Sequence, residues 1–332
     1  MPSAETKHEY DDSGKDAVGF GFASKENKFK IETQILHQGE VNRARYMPQQ
    51  SNIIATQSPT GEVDVFDYHK HPTKPEANEP FKAELRLTGA KKEGYGLSWN
   101  PNKKGLLLGA SYDGAIYEWD VESAPQLYTD VKPVAKYEAH AGSVEDVAWS
   151  KQHPEIFGSV GDDKRLLIWD TRKENKKPTH QVDAHFGEVL SLDFNPFNEY
   201  LLATSSADKT VAIWDLRNLQ SKQCSLKQHQ DEVTTVSWAP FNEALITSAS
   251  QDRRVFVWDL SRLGKEQTPE EAADGPPELL FVHGGHTSKI NDISWNQNED
   301  LVMASVADDN VLQVWQIVRN RCNRIGWRNL LR

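Results

Sequence analysis

The feature that most restricts this 332-residue chain is a frame that comes round six times. Segments close on Phe66-Asp67, Trp119-Asp120, Trp169-Asp170, Trp214-Asp215, Trp258-Asp259 and Trp315-Gln316. In five of them a histidine (His37, His140, His185, His229 or His286) stands 29 residues before the aromatic, and in the second Ala90 holds that place. The unit is constant while the connectors vary, so the chain is built from modules stacked on their neighbours. Within the unit, runs such as Val189–Phe194 and Thr210–Trp214 alternate apolar with small or polar residues, and "SSADKT" supplies turn residues between them. The predicted fold class is all-β: a propeller of four-stranded blades around a channel, with six recognisable blades.

Further residues ride on the same frame. An aspartate falls six places before the closing aromatic (Asp113, Asp163, Asp208, Asp252, Asp309), and a hydroxyl four places before that (Ser159, Thr204, Ser248, Ser305), with Gly109 the exception. His140, Ser159, Asp163 and Trp169 thus recur as His185, Thr204, Asp208 and Trp214, as His229, Ser248, Asp252 and Trp258, and as His286, Ser305, Asp309 and Trp315. The expected role is a buried hydrogen-bonded network that pins each blade. The first unit has Thr60 and Phe66 in the Asp and Trp places and is expected to be looser. His, Ser and Asp also compose catalytic triads, but a triad occurs once, in a cleft. Repetition blade after blade points to structure, and no enzyme is expected.

Charge narrows the partners. Lys and Arg number 38 against 49 Asp and Glu, a net −11 that disfavours direct nucleic-acid binding and suits a basic partner. Two cysteines, Cys224 and Cys322, are too few for a disulfide framework or a thiolate zinc site. No apolar run approaches membrane-spanning length and no signal peptide is visible, so neither a membrane nor a cofactor is expected.

The frame also places a binding surface. Positions three and five after the histidine should lie where the innermost strand starts, at the channel mouth. The third positions are Glu40, Glu93, Ser143, Glu188, Glu232 and Lys289; the fifth are Asn42, Tyr95, Glu145, Leu190, Thr234 and Asn291. A ring of carboxylates on a concave mouth would draw in an extended Lys/Arg peptide.

Other motifs carry less. Gly19-Phe20-Gly21 lacks the third glycine of a dinucleotide loop. His69 and His71 lie in a proline-rich loop with no further ligand, so a solvated loop is expected. Gly264–Glu278 is a long acidic insertion. Residues 1–27 are expected to be a disordered polar segment, 28–318 the propeller and 319–332 an arginine-rich, solvated tail. Within the propeller, Lys28–Leu36 alternates like a strand and is expected to close the ring on Val311–Gln316.

"GEVNRARYMPQ", "KEGYGLSWNPN", "SADKTVAIWDLRNL" and "ADGPPELLFVHGGHT" resemble the histone-binding WD-repeat family, the retinoblastoma-associated small subunit of chromatin assembly factor, over about Glu5 to Ile317. The resemblance implies a nuclear, seven-bladed scaffold of chromatin assembly, deacetylase, remodelling and Polycomb complexes. Its partners would be core histones and chromatin-complex subunits. It assigns the channel mouth to Glu40, Asn42, Arg43, Glu93, Tyr95, Glu145, Glu188, Glu232 and Asp308, while Leu190 and Thr234 depart from the family pattern. It also implies a side groove for a histone helix at Glu270, Glu271, Asp274, Pro276, Pro277 and Leu279. The family's long N-terminal helix and the inner strands of its first blade have no counterpart here, so a fragment, a variant or a six-bladed ring is expected. Trp169-Asp170-Thr171-Arg172 and Trp214-Asp215-Leu216-Arg217 resemble the WDxR box of substrate receptors that dock a cullin-type ubiquitin-ligase adaptor, the alternative function.

Overall fold

The computed structural model describes residues 31–76, 80–124, 126–319 and 325–331. Six sheets follow one another along the chain. Blade 1 is β1 (Arg43–Met47), β2 (Gln50–Gln57), β3 (Val63–Asp67) and β4 (Leu85–Leu87); blade 2 is β5 (Leu97–Trp99), β6 (Leu106–Ala110), β7 (Ala115–Asp120) and β9 (Ala135–Glu138). Blade 3 is β10 (Val144–Trp149), β11 (Ile156–Gly161), β12 (Arg165–Asp170) and β13 (His180–Asp183); blade 4 is β14 (Val189–Phe194), β15 (Leu201–Ser206), β16 (Val211–Asp215) and β17 (Cys224–Leu226). Blade 5 is β18 (Val233–Trp238), β19 (Leu245–Ser250), β20 (Val255–Asp259) and β21 (Leu279–His283), and blade 6 is β22 (Ile290–Trp295), β23 (Val302–Ala307), β24 (Leu312–Arg319) and β25 (Ile325–Leu331). The protein is therefore an all-β, six-bladed propeller. A further strand, β8 (Thr129–Val131), leaves the second blade's connector and pairs in parallel with β4, covering the outer edge of blade 1.

The second strand is joined to the third by a tight turn at the frame's aspartate. Lys164, Lys209, Arg253 and Asn310, each one place after it, take φ between 60° and 70°, and Gly114 takes 84°. The aspartate holds that turn by accepting the backbone N–H two residues on, as Asp208 does from Thr210 at 3.1 Å. Blades have no separate cores. Ala148, Val160 and Ile168 of blade 3 are buried in one cluster with Leu192, Phe194 and Trp214 of blade 4, and similar clusters join blades 1–2, 2–3, 4–5 and 5–6. Among the described residues no such apolar cluster joins blade 6 to blade 1. That seam is polar: Arg45 donates to both carboxylate oxygens of Asp292 at 2.8 and 3.3 Å, and Arg43 reaches the same group at 3.1 Å.

The ends correct the sequence reading. Residues 31–36 form no strand, and Gln34 N–H donates to Thr73 O instead. The outer edge of β24 is taken by β25, with Ile317 opposite Trp327, so residues expected in a solvated tail complete blade 6. A hairpin between neighbours closes a short loop, whereas pairing with the chain's other end closes a very long one. Residues 1–30 lie outside the described residues, and with them the expected disordered segment, Gly19–Gly21 and the first part of Lys28–Leu36; so does Cys322.

Candidate functional site

Every tetrad read from the frame is assembled. His185 Nδ1 lies 3.0 Å from Asp208 and its Nε2 2.8 Å from Thr204 Oγ1, which accepts the Trp214 indole N–H at 2.9 Å. The same chain links His140, Asp163, Ser159 and Trp169, then His229, Asp252, Ser248 and Trp258, then His286, Asp309, Ser305 and Trp315. Burial depresses the His185 and His286 imidazoles below their ordinary value. Burial alone would raise the Asp208 carboxyl, but hydrogen bonds from His185 and Thr210 outweigh it and hold it low. Blade 1 keeps only His37 on Thr56, at 2.9 Å, as its residue types require.

The innermost strands β1, β5, β10, β14, β18 and β22 line a central channel of about 460 Å³. In blades 3 to 6 the ladder with the second strand skips one residue at the mouth: Glu145, Leu190, Thr234 and Asn291. Each is a fifth-position residue. A bulge inserts an extra residue into a strand and re-aims it, so neighbours no longer alternate; Glu145 stands at the mouth while Asp146 lines the channel below.

A second ring, which the sequence reading missed apart from Asp308, completes the mouth. The residue just before each turn aspartate bonds its backbone N–H to the third-position carbonyl: Tyr112 to Glu93 at 2.8 Å, Asp162 to Ser143 at 3.1 Å, Gln251 to Glu232 at 2.9 Å, Asp308 to Lys289 at 3.0 Å. Their side chains then meet the first ring. Tyr112 Oη donates to Glu145 at 3.0 Å, Gln251 Nε2 to Glu232 at 2.7 Å, and Asp308 takes Asn291 at 2.5 Å and Lys289 at 3.2 Å. The frame place one before the aspartate was the available signal.

Other expected mouth residues sort themselves by geometry. Glu40 and Glu188 are exposed, and Glu93 accepts from Asn42 at 3.2 Å. Tyr95 lies beside Tyr112, ring centroids 5.8 Å apart. Arg43 lines the channel and is held there, Nε donating to Tyr95 O at 2.8 Å and the guanidinium reaching Asp292 at 3.1 Å. Thr234 spends its hydroxyl on Ile290 O at 2.8 Å, and Leu190 is half-buried. Glu145 is not an ordinary carboxylate. Burial, then hydrogen bonding with Asp162, pushes it up to about 8.

The acidic insertion folds as a short helix, α1 (Pro269–Ala273), whose capping box joins Thr268 to Glu271. It joins β20 to β21, so it leaves the end of a third strand, on the face opposite the mouth. Glu271, Asp274, Pro276, Pro277 and Leu279 border a cleft of about 230 Å³ there; Glu270 lies on α1. The mouth and the side loop are thus two separate surfaces. On that opposite face Arg172 grips Asp170 at 2.7 and 2.9 Å, and Arg217 grips Asp215 at 2.6 and 3.0 Å. Both guanidinium side chains are about two-thirds exposed, at 68% and 63%. His71 is not solvated as expected: its Nε2 lies 3.2 Å from Glu84, and its ring packs edge-on to Phe66. Among the described residues no group of three His, Cys, Asp or Glu could hold a metal, and no helix is long and apolar enough to cross a membrane.

Two family models match. One described as "EIPR1 beta-propeller" covers residues 126–258, blades 3 and 4 and most of blade 5, and one described as "WD domain, G-beta repeat" covers residues 277–316. The second falls on the unit from His286 to Trp315, whose tetrad is complete; the chain is a six-bladed β-propeller with WD repeats, and WD-repeat propellers are generally non-catalytic scaffolds for other proteins.

Proposed function

We propose that the protein is a histone-binding scaffold subunit of nuclear chromatin complexes, of the assembly, deacetylase, remodelling or Polycomb type, and that basic histone tails bind at the channel mouth. The observation that carries this reading is that Glu40, Glu93, Glu145, Glu188 and Glu232 all stand near the start of an innermost strand, each in a different blade. Lys or Arg side chains entering there exchange water for charge-assisted hydrogen bonds, worth about 1.5–3 kcal/mol each when desolvated. The loop around α1 is a second surface, suited by its acids and by Leu279 to a basic amphipathic helix. Calorimetric titration with a basic histone-tail peptide tests the mouth. Replacing Glu93 and Glu188 together by Gln should weaken binding at least about tenfold, and added salt should weaken the wild type. Unchanged affinity in the double variant rejects the reading.

A second reading, a substrate receptor for a cullin-type ubiquitin ligase, draws on the exposed Arg172 and Arg217 on adjacent blades. Under it, Arg172→Ala with Arg217→Ala abolishes adaptor capture by the purified protein and leaves peptide binding at the mouth untouched.

A further inference from the structure

Residue by residue along the frame, the joint between blades 6 and 1 is bare where the others are sealed. In blade 6, Asp292, Val306 and Leu312 stand opposite one another across β22, β23 and β24. The places of Val306 and Leu312 are taken in blade 3 by Val160 and Leu166, which pack into blade 4, and in the next two blades by Ser205 and Val211 and by Ala249 and Val255. All six are at most 1% exposed, against 36% for Val306 and 40% for Leu312. The facing wall repeats the contrast. Nine residues after the histidine place stand Trp99, Trp149, Phe194, Trp238 and Trp295, each buried against the preceding blade. Blade 1 has Tyr46 there, 50% exposed, opposite the half-buried Ile54. Apolar sheet faces bury themselves against a further layer about 10 Å away. Among the described residues, these two walls have no such layer between them. They bound a slot, bridged at its channel end by Arg43 and Arg45 on Asp292.

The chain's first residues lead away from this slot's own edge. His37 Nε2 lies 2.9 Å from Thr56 Oγ1, and the rings of His37 and Phe81 pack on Phe66, covering the outer part of blade 1's wall. Gln34 is tied to Thr73 just upstream. Residues 17–30, which lie outside the described residues, therefore start beside the slot, and extended they would reach about 45 Å. Their sequence suits it. Val18, Phe20 and Phe22 alternate with Gly19, Gly21 and Ala23, giving one bulky apolar face and one bare face. Glycine in a strand lets another backbone come close, as a slot pinned at one end by ion pairs requires.

We propose that residues 17–23 enter the slot as an extended strand, with Val18, Phe20 and Phe22 against Val306 and Leu312 and the glycine face towards Tyr46. A segment tethered to the wall it covers acts at an effective concentration of about a millimolar, which favours it over a second copy's segment or another protein. The slot is separate from the mouth, and its filling does not depend on a peptide binding there.

Hydrogen exchange of the full chain, followed by mass spectrometry, tests this. Amides of residues 17–23 should exchange at least about tenfold more slowly than in a free peptide of the same sequence. Phe20→Ser with Phe22→Ser leaves both walls intact; it should return the segment to the free rate and quicken exchange in β1 and β23, with blades 3 and 4 still protected. Val306→Asp with Leu312→Asp should release the segment as well. A wild-type segment that exchanges at the free rate overturns the proposal. So does release in the phenylalanine variant with β1 and β23 unchanged, which would put the segment elsewhere on the molecule. Protection that appears only where sedimentation shows a dimer assigns the slot to a second copy's segment and overturns it too.

Discussion

Tyr117 shows how a repeated network survives the loss of members. Blade 2 has Ala90 and Gly109 where its neighbours have His and a hydroxyl. Tyr117 Oη takes over the bond to Asp113 at 2.8 Å, and the Trp119 indole donates to Thr88 O at 2.9 Å. Gly109 then has a reason: a Cβ there would sit 2.7 Å from the Trp119 ring. The four full tetrads were legible because each role demands one residue type at one place. This substitute was not, because the residues two before the closing tryptophan in the full tetrads, Leu167, Ala212, Phe256 and Gln313, are of four unlike types; it serves because residues two apart on a strand share a face. Tyr117→Phe should cost about 1–2 kcal/mol, and Trp214→Ala about 3–5 kcal/mol through the cavity it leaves, both read from urea denaturation. Acid should find another residue. His283, buried and stacked 4.4 Å from Trp315, is depressed by burial to about 4. The unfolded chain accepts that proton near 6.5 and the folded chain resists it, so the stabilisation is whole above about 6.5 and drains away as pH falls towards 4. The amount is about 3 kcal/mol, and His283→Gln should flatten the fall in urea midpoint over that window.

At the level of elements, first to third strands were readable and fourth strands were not. The 29-residue frame spans the first three, whereas the fourth lies in the variable connectors. β25 is the sharpest case. Ile325, Trp327, Asn329 and Leu331 alternate with their neighbours, but arginines at 321, 324 and 328 drew the reading towards a solvated tail. Deleting residues 320–332 bares the edge of β24, with its row of unmet N–H and C=O groups. Expected are a lower melting temperature and concentration-dependent light scattering; a deletion variant as stable and monodisperse as the parent contradicts the strand. The mouth was half legible: strand starts carry the frame, but bulges and turn residues meet only in three dimensions.

For the whole molecule, the seam between blades 6 and 1 is the weak joint. Five joints are welded by apolar clusters and the sixth by two arginines on Asp292. The blade count could be taken from the frames; the seam could not, since nothing in the text of the chain pairs Arg45 with a residue 247 places away. Asp292→Asn should speed hydrogen exchange in β1 and β22 first and leave β11 and β15 protected, an effect that grows with salt in the wild type. The bulges have a different consequence. Each sets one residue at the mouth outside the ladder with the second strand. Thr234 spends its side chain on bridging blades 5 and 6, but the half-buried Leu190 carries no polar group. Leu190 can therefore be exchanged for an acid, an amide or an aromatic by mutation over generations, or by an engineer, with the propeller intact, and what the opening selects is free to diverge faster than the architecture that presents it.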